Sequence, residues 1–184
     1  MKTIIFDIDG TLTDMWPIER SVLLALLGKN KAIEVNNLFG SGIKETYKIY
    51  SLVSRTKIGK QRYTELYNKT FSLLLKCNRL PRPAKYPVVN WLTRNRAKYN
   101  FVYATGGQRN ESRYVLESLG ITKYFDLKNS LDKTNCKFSK STGILFRKIA
   151  KIFPQCLVIT DGESDCRGAA RVGIPCIKMV NIRC

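Results

Sequence analysis

Four short apolar runs, KTIIFD (2–7), NFVYAT (100–105), CLVIT (156–160) and PCIKM (175–179), decide most of what this chain can fold into. In the first, no polar residue alternates with the apolar ones, the pattern of a strand buried on both faces of a sheet. A weaker strand, YFDLKNS (124–130), brings the expected number to five. Between them, residues 88–99, 109–119, 142–152 and 164–172 have helical spacing, and Gly120 and Gly173 close two of these stretches. Strands that alternate with helices predict a parallel sheet with right-handed crossovers.

Residues 15–80 interrupt that alternation. Pro17 suits the first turn of a helix carrying Ile18, Val22, Leu23, Leu26 and Leu27. Residues 43–54 and 59–76 also read as helices. The second places Tyr63, Leu66, Tyr67, Thr70, Phe71 and Leu74 at core-forming spacing. RLPRPAKYP (79–87), with three prolines, reads as a connector. The expected organisation is an α/β core of residues 1–14 and 85–184 with a helical insert of residues 15–84.

Composition removes several chemistries. The chain has no histidine, which excludes Ser-His-Asp and Cys-His catalysis. Acid–base work falls to carboxylates, Lys, Tyr, Cys or a metal-bound water. The six cysteines form no C-x-x-C pair and read as reduced, mostly buried thiols rather than a zinc site. No apolar run approaches the ~20 residues of a membrane helix. Ile4–Phe6 is shorter than the ~7–15 apolar residues of a signal peptide. The expectation is a cytoplasmic protein without a membrane partner. The net charge of +18, from 32 basic and 14 acidic residues, favours anionic partners. It is spread evenly, with 13 basic and 4 acidic residues in 15–84 and 18 and 7 in 85–184. A solvated basic surface is the reading preferred to a nucleic-acid face.

Polar groups stand at the ends of the best strands. The first ends at Asp7, with Asp9 two residues on; the second ends at Thr105, followed by Gly106 and Gly107; CLVIT runs into Asp161, with Asp165 four residues later. In an open parallel sheet these ends share a crevice when the strands are neighbours. Carboxylates gathered there call for a divalent cation, and oxygen ligands without histidine suit Mg²⁺. Asp7 is then placed to attack phosphorus, with Asp9 as general acid and then base. Thr105 and the N–H groups after it are suited to hold phosphate oxygens. Lys137 and Lys140 are candidates to offset the charge of the transferring group.

These residues resemble the motifs of the haloacid dehalogenase superfamily of phosphatases and phosphomutases. Asp7-Ile8-Asp9-Gly10-Thr11 is similar to its D-x-D-G-T motif, VYATGG to its second motif, KSTGILF (140–146) to its lysine motif, and VITDGESD to its acidic fourth motif. The resemblance selects Lys140 over Lys137. It implies a Rossmann-like five-stranded sheet of order 5-4-1-2-3 with helices on both faces and an inserted helical cap of the C1 type. It further implies Mg²⁺ held by Asp7, the Asp9 main-chain carbonyl and Asp161, with Asp165 behind them, and phosphate held by Thr105, Gly106 and Lys140. FGSGIKET (39–46) resembles the substrate loop of the phosphoglycolate phosphatase and β-phosphoglucomutase branch, which makes Lys44 the candidate for the substrate's far end. Ser141 and Gly143 stand where the family has prolines, and Thr160 where it commonly has glycine.

The implied function is hydrolysis of small phosphate monoesters through an aspartyl-phosphate, a phosphoric monoester hydrolase activity. A phosphomutase of the β-phosphoglucomutase type uses the same groups. A nucleic-acid-binding protein on a catalytically retired fold is the alternative from another class. The sequence leaves the ester itself, and monomer against dimer, open.

Overall fold

Thr3–Phe6 forms β1, with all four residues buried. Asn100–Tyr103 (β2) and Cys156–Thr160 (β3) pair with it in parallel on either side, and Cys176–Lys178 (β4) pairs with β3. Among the described residues the sheet therefore has four strands, in the order β2-β1-β3-β4. This corrects the expected five strands in the order 5-4-1-2-3. The computed structural model describes residues 1–180.

The strand expected at 124–130 does not form, for a local reason. Two isolated bridges, Phe101 to Phe125 and Ala104 to Leu131, flank this segment, and the Tyr103 N–H of β2 donates to the Ser130 hydroxyl at 3.0 Å in place of a backbone carbonyl. Between them Asp126 Oδ1 accepts the Asn129 N–H at 3.2 Å, and the Ser130 hydroxyl donates to the Asp126 carbonyl at 2.7 Å. A side chain that satisfies the backbone two or three residues on makes a turn, not a ladder.

The helices of this unit are Pro87–Asn95 (α5), Arg109–Ser118 (α6), Ile144–Ile152 (α7) and Glu163–Ala170 (α8). Leu145, Phe146 and Ile149 of α7 pack with Ile5, Val102 and Val158 of the sheet. Ile152, at the end of α7, is exposed. The other face is less complete. Over β3 and β4 lies an open apolar trough of about 770 Å³, with Ile4, Trp91, Leu157, Ile159 and Ile177 among its lining. A disulfide, Cys166–Cys176, joins α8 to β4 with a Cα separation of 5.4 Å, which corrects the expectation of reduced thiols throughout. Cys136 is a buried free thiol, Cys156 is half-buried and Cys77 is exposed.

Two compact units emerge: Met1–Asp14 with the chain from Pro83 onward, and Met15–Arg82. The second is all helical, with Trp16–Leu27 (α1), Ala32–Gly40 (α2), Thr46–Ser54 (α3) and Lys60–Lys76 (α4). Its core includes Ile18, Val22 and Leu23 of α1, with Ile49, Val53, Tyr63, Tyr67 and Phe71. Residues 63, 67 and 71 lie one turn apart, so their rings form a ladder at centroid spacings of 5.9 and 6.5 Å. Leu66, Thr70 and Leu74, on the flank of that stripe, are half-buried. FGSGIKET is less of a loop than expected, since Phe39 and Gly40 close α2 and Thr46 opens α3. Among the described residues no helix is long and apolar enough to cross a membrane.

Candidate active site

The register of the sheet builds the site. Phe6 is level with Tyr103 on one side and Ile159 on the other, so the chain leaves all three strands along one edge. Asp7 emerges from β1, Thr105 lies two residues past β2, and Asp161 follows β3 directly.

Asp7 is 8% exposed. Its Oδ1 accepts the Ile8 N–H at 2.8 Å, and its Oδ2 lies 2.7 Å from Lys140 Nζ. The same ammonium pairs with Asp165 Oδ2. Burial pushes the Asp7 carboxyl up to about 7; the charge of Lys140 works against this, and Asp165 adds to it. For Lys140, burial pulls the pKa down, and Asp7 and Asp165 together more than reverse that, so it is held above its ordinary value. One cation thus serves two buried carboxylates, and Lys137 is exposed nearby in sequence.

Close packing of α8 fixes that lysine. Lys140–Thr142 is a 3₁₀ turn that lies against α8 at Gly168. A Cβ on Gly168 would fall 2.1 Å from the Lys140 carbonyl oxygen, a backbone atom that cannot rotate aside. Gly168→Ala is therefore expected to displace the Lys140 turn, although Ala is intrinsically the better helix former. Overpacking of this kind costs about 1–3 kcal/mol. Thermal melting of the variant checks that number.

The turn after β1 brings the remaining acids close. Asp9 is exposed and bridges to Thr13, and Gly10 N–H donates to the Thr13 carbonyl at 2.8 Å. Gly10 has φ +72°, and a Cβ there would lie 2.0 Å from Asp161 Oδ2. The Asp161 carboxylate therefore rests on the backbone of the D-x-D-G-T turn, where only glycine leaves room. The Asp161 N–H donates to Thr11 Oγ1 at 3.1 Å, which locks the two loops together. Thr160, which replaces the family's glycine, bonds locally: its hydroxyl donates to Asp165 Oδ2 at 2.9 Å and accepts from Gly162 N–H at 3.0 Å.

Beyond β2, buried Thr105 accepts the Gly107 N–H at 3.1 Å through Oγ1. A Cβ on Gly106 would meet nothing within 4 Å, so this backbone is open. The Gln108 N–H donates to Glu111 Oε2 at 2.6 Å, which caps the start of α6. Lys44 belongs to the helical unit. Its ammonium lies 3.2 Å from the Phe39 carbonyl and 3.7 Å from that ring's centroid. Trp16 stacks on the same ring at 3.6 Å.

The donor set is compatible with a hard cation. Among the described residues no three His, Cys, Asp or Glu side chains converge into a ready-made metal cluster. What the strand ends offer is the carboxylates of Asp7 and Asp161 and the main chain of the D-x-D-G-T turn. Few protein oxygens and room for water are what Mg²⁺ takes, because it gives up its hydration reluctantly.

The haloacid dehalogenase-like hydrolase family model matches residues 1–173, and the chain belongs to that family. Its fold is shared with solved structures of low sequence identity. A family IA, variant 3 hydrolase from Entamoeba histolytica is 14% identical with a TM-score of 0.70, over 97% of this chain and 84% of that one. YfnB from Bacillus subtilis, a HAD hydrolase solved bound to magnesium, is 16% identical with a TM-score of 0.67, over 97% and 88%. CbbY from Rhodobacter sphaeroides, solved with xylulose-1,5-bisphosphate, is 18% identical with a TM-score of 0.67, over 99% and 87%. No curated protein matches the sequence.

Proposed function

We propose that this hydrolase is a Mg²⁺-dependent phosphatase that cleaves small phosphate monoesters through an aspartyl-phosphate on Asp7. The observation that carries the reading is a buried carboxylate at a strand end, held by one lysine that it shares with Asp165. That geometry supplies a rigid nucleophile and a cation already in place for the charge of the phosphoryl group.

In this reading an Asp7 oxygen attacks phosphorus, and the ester oxygen leaves with a proton from Asp9. Water then attacks the phosphorus of the acyl phosphate, Asp9 takes the proton, and phosphate departs with Asp7 restored. Exposed Asp9 reaches water and leaving group more readily than buried Asp7. Thr105 and the backbone N–H of Gly106 hold phosphate oxygens with Lys140. Asp7, the Asp9 carbonyl and Asp161 would hold Mg²⁺, which when bound would supply charge neutralisation for the attack on phosphorus. Asp165 keeps Lys140 in place from behind. The helical unit, inserted at Asp14 soon after the nucleophile, is the substrate-selecting cap.

Phosphate release from sugar phosphates, phosphoglycolate, nucleotides and a generic aryl phosphate tests the reading. Release is expected with Mg²⁺ and is expected to stop in excess chelator. No release from any ester, with or without Mg²⁺, contradicts it; transfer of phosphate between sugars in place of release identifies a phosphomutase.

A further inference from the structure

We infer that Asp132 is a positioning residue for the loop Thr105–Gln108, acting through the turn it closes and through Arg109. This rests on the reading of that loop as the phosphate holder.

Asp132 is fully buried, and none of the catalytic motifs includes it. Its two oxygens work in different directions. Oδ1 accepts the N–H groups of Thr134 at 2.8 Å and Asn135 at 3.3 Å, which closes an Asx turn over 132–135. Asn135 Oδ1 returns the bond by accepting the Asp132 N–H at 2.8 Å. Oδ2 faces away from the turn and accepts from Tyr103 Oη at 3.3 Å and Arg109 Nε at 3.3 Å. Tyr103 ends β2 and Arg109 opens α6, so this one oxygen touches both sides of the loop. The phenol is correspondingly held as a donor, pushed up to about 12 by burial and then by the Asp132 charge.

The turn that Oδ1 closes then grips the loop itself. Thr105 N–H donates to the Leu131 carbonyl at 3.0 Å, and Lys133 N–H donates to the Gly107 carbonyl at 3.0 Å. The Arg109 N–H donates to Thr134 Oγ1 at 3.2 Å, and that hydroxyl donates to Gln108 Oε1 at 3.4 Å. Residues 131, 133 and 134 thus bind 105, 107, 108 and 109 in step. Of the two glycines here, Gly106 has an open flank and Gly107 faces the Glu111 carboxylate. A glycine pair without side-chain packing gains its fixed shape from outside, and here the outside support is a turn organised by one buried carboxylate.

Asn at 132 keeps an acceptor for the Asx turn but presents an N–H₂ to Arg109 Nε–H, so it breaks the Oδ2 branch and spares the Oδ1 branch. Ala removes both. The experiment measures kcat and KM for an aryl phosphate, inhibition by inorganic phosphate, and amide hydrogen exchange over residues 105–109, in the natural chain, Asp132→Asn, Asp132→Glu and Thr134→Ala. Expected for Asp132→Asn is faster exchange confined to 105–109, with phosphate inhibition weakened about 10-fold or more and kcat/KM falling by a similar factor, as for loss of an outer partner of a binding group. Asp132→Glu recovers part of the loss, and Thr134→Ala reproduces a fraction of it. Unchanged exchange at 105–109 in Asp132→Asn overturns the inference. So does faster exchange spread evenly over the whole unit, which would mark a merely structural residue. If the natural chain hydrolyses no ester, the phosphatase reading falls, and the exchange pattern still decides the positioning role on its own.

Discussion

Asp7→Asn is expected to abolish phosphate release, by at least about 10⁴-fold in kcat, the scale on which removing a covalent nucleophile acts. The amide keeps the oxygen that accepts the Ile8 N–H and has nearly the same volume, so the site keeps its shape. The fold is expected to survive, and measured in chelator it is expected to melt at the same temperature or higher. The sign follows from burial. A carboxyl raised from 3.8 to about 7 binds its proton more tightly when folded, so its contribution is most favourable at low pH and is lost as pH rises through about 7. A neutral isostere removes that loss. Stability exchanged for reactivity is the usual bargain at a catalytic carboxylate. Steady-state kinetics and a melting curve at pH 8 check the two halves separately.

Lys140→Met is expected to be the most damaging of these changes to stability, and to lower activity as well. Its side chain is 14% exposed and is shared by Asp7 and Asp165, so its loss leaves two buried carboxylates facing each other. Breaking a buried ion pair by removing one partner costs about 3–5 kcal/mol. For a chain of this size that lowers Tm by roughly 6–20 °C. Hydrolysis is expected to fall about 10²–10³-fold or more, as when a stabilising group is taken from the transition state. The stability deficit in chelator should be smaller at pH 5 than at pH 8, because protonation of Asp7 removes one of the opposed charges. A deficit that grows on acidification would show that the carboxylates were not the source of the cost.

The strands and the acids at their ends were legible because each is a local signal. Thr3–Phe6 and Cys156–Thr160 are short runs with little polar content, and their burial follows from that alone. Asp7, Asp9, Asp161 and Asp165 stand in two short motifs at strand ends, so parallel pairing was enough to bring them to one edge. The choice of Lys140 over Lys137 was legible only by resemblance; its physical support, the missing side chain of Gly168, lies 28 residues away and leaves no periodic trace. Helix α2 was missed because Val35 is its one buried residue, too few to set a period. The fifth strand failed because Asp126 and Ser130 turn the chain by their own hydrogen bonds. Asp132 escaped notice for the opposite reason. Its partners Arg109 and Tyr103 are 23 and 29 residues earlier, and only the folded chain brings them together. The cystine was equally silent, since Cys166 and Cys176 have no motif spacing and meet because α8 returns to β4.

The central claim is that phosphate passes through Asp7. Acid quenching during steady turnover, followed by mass measurement of the N-terminal peptide, tests it most directly. The account predicts a peptide carrying one phosphoryl group on Asp7, formed only with substrate and Mg²⁺ and missing in Asp7→Asn. Turnover at full rate with no phosphorylated peptide, or activity that persists in Asp7→Asn, would contradict it.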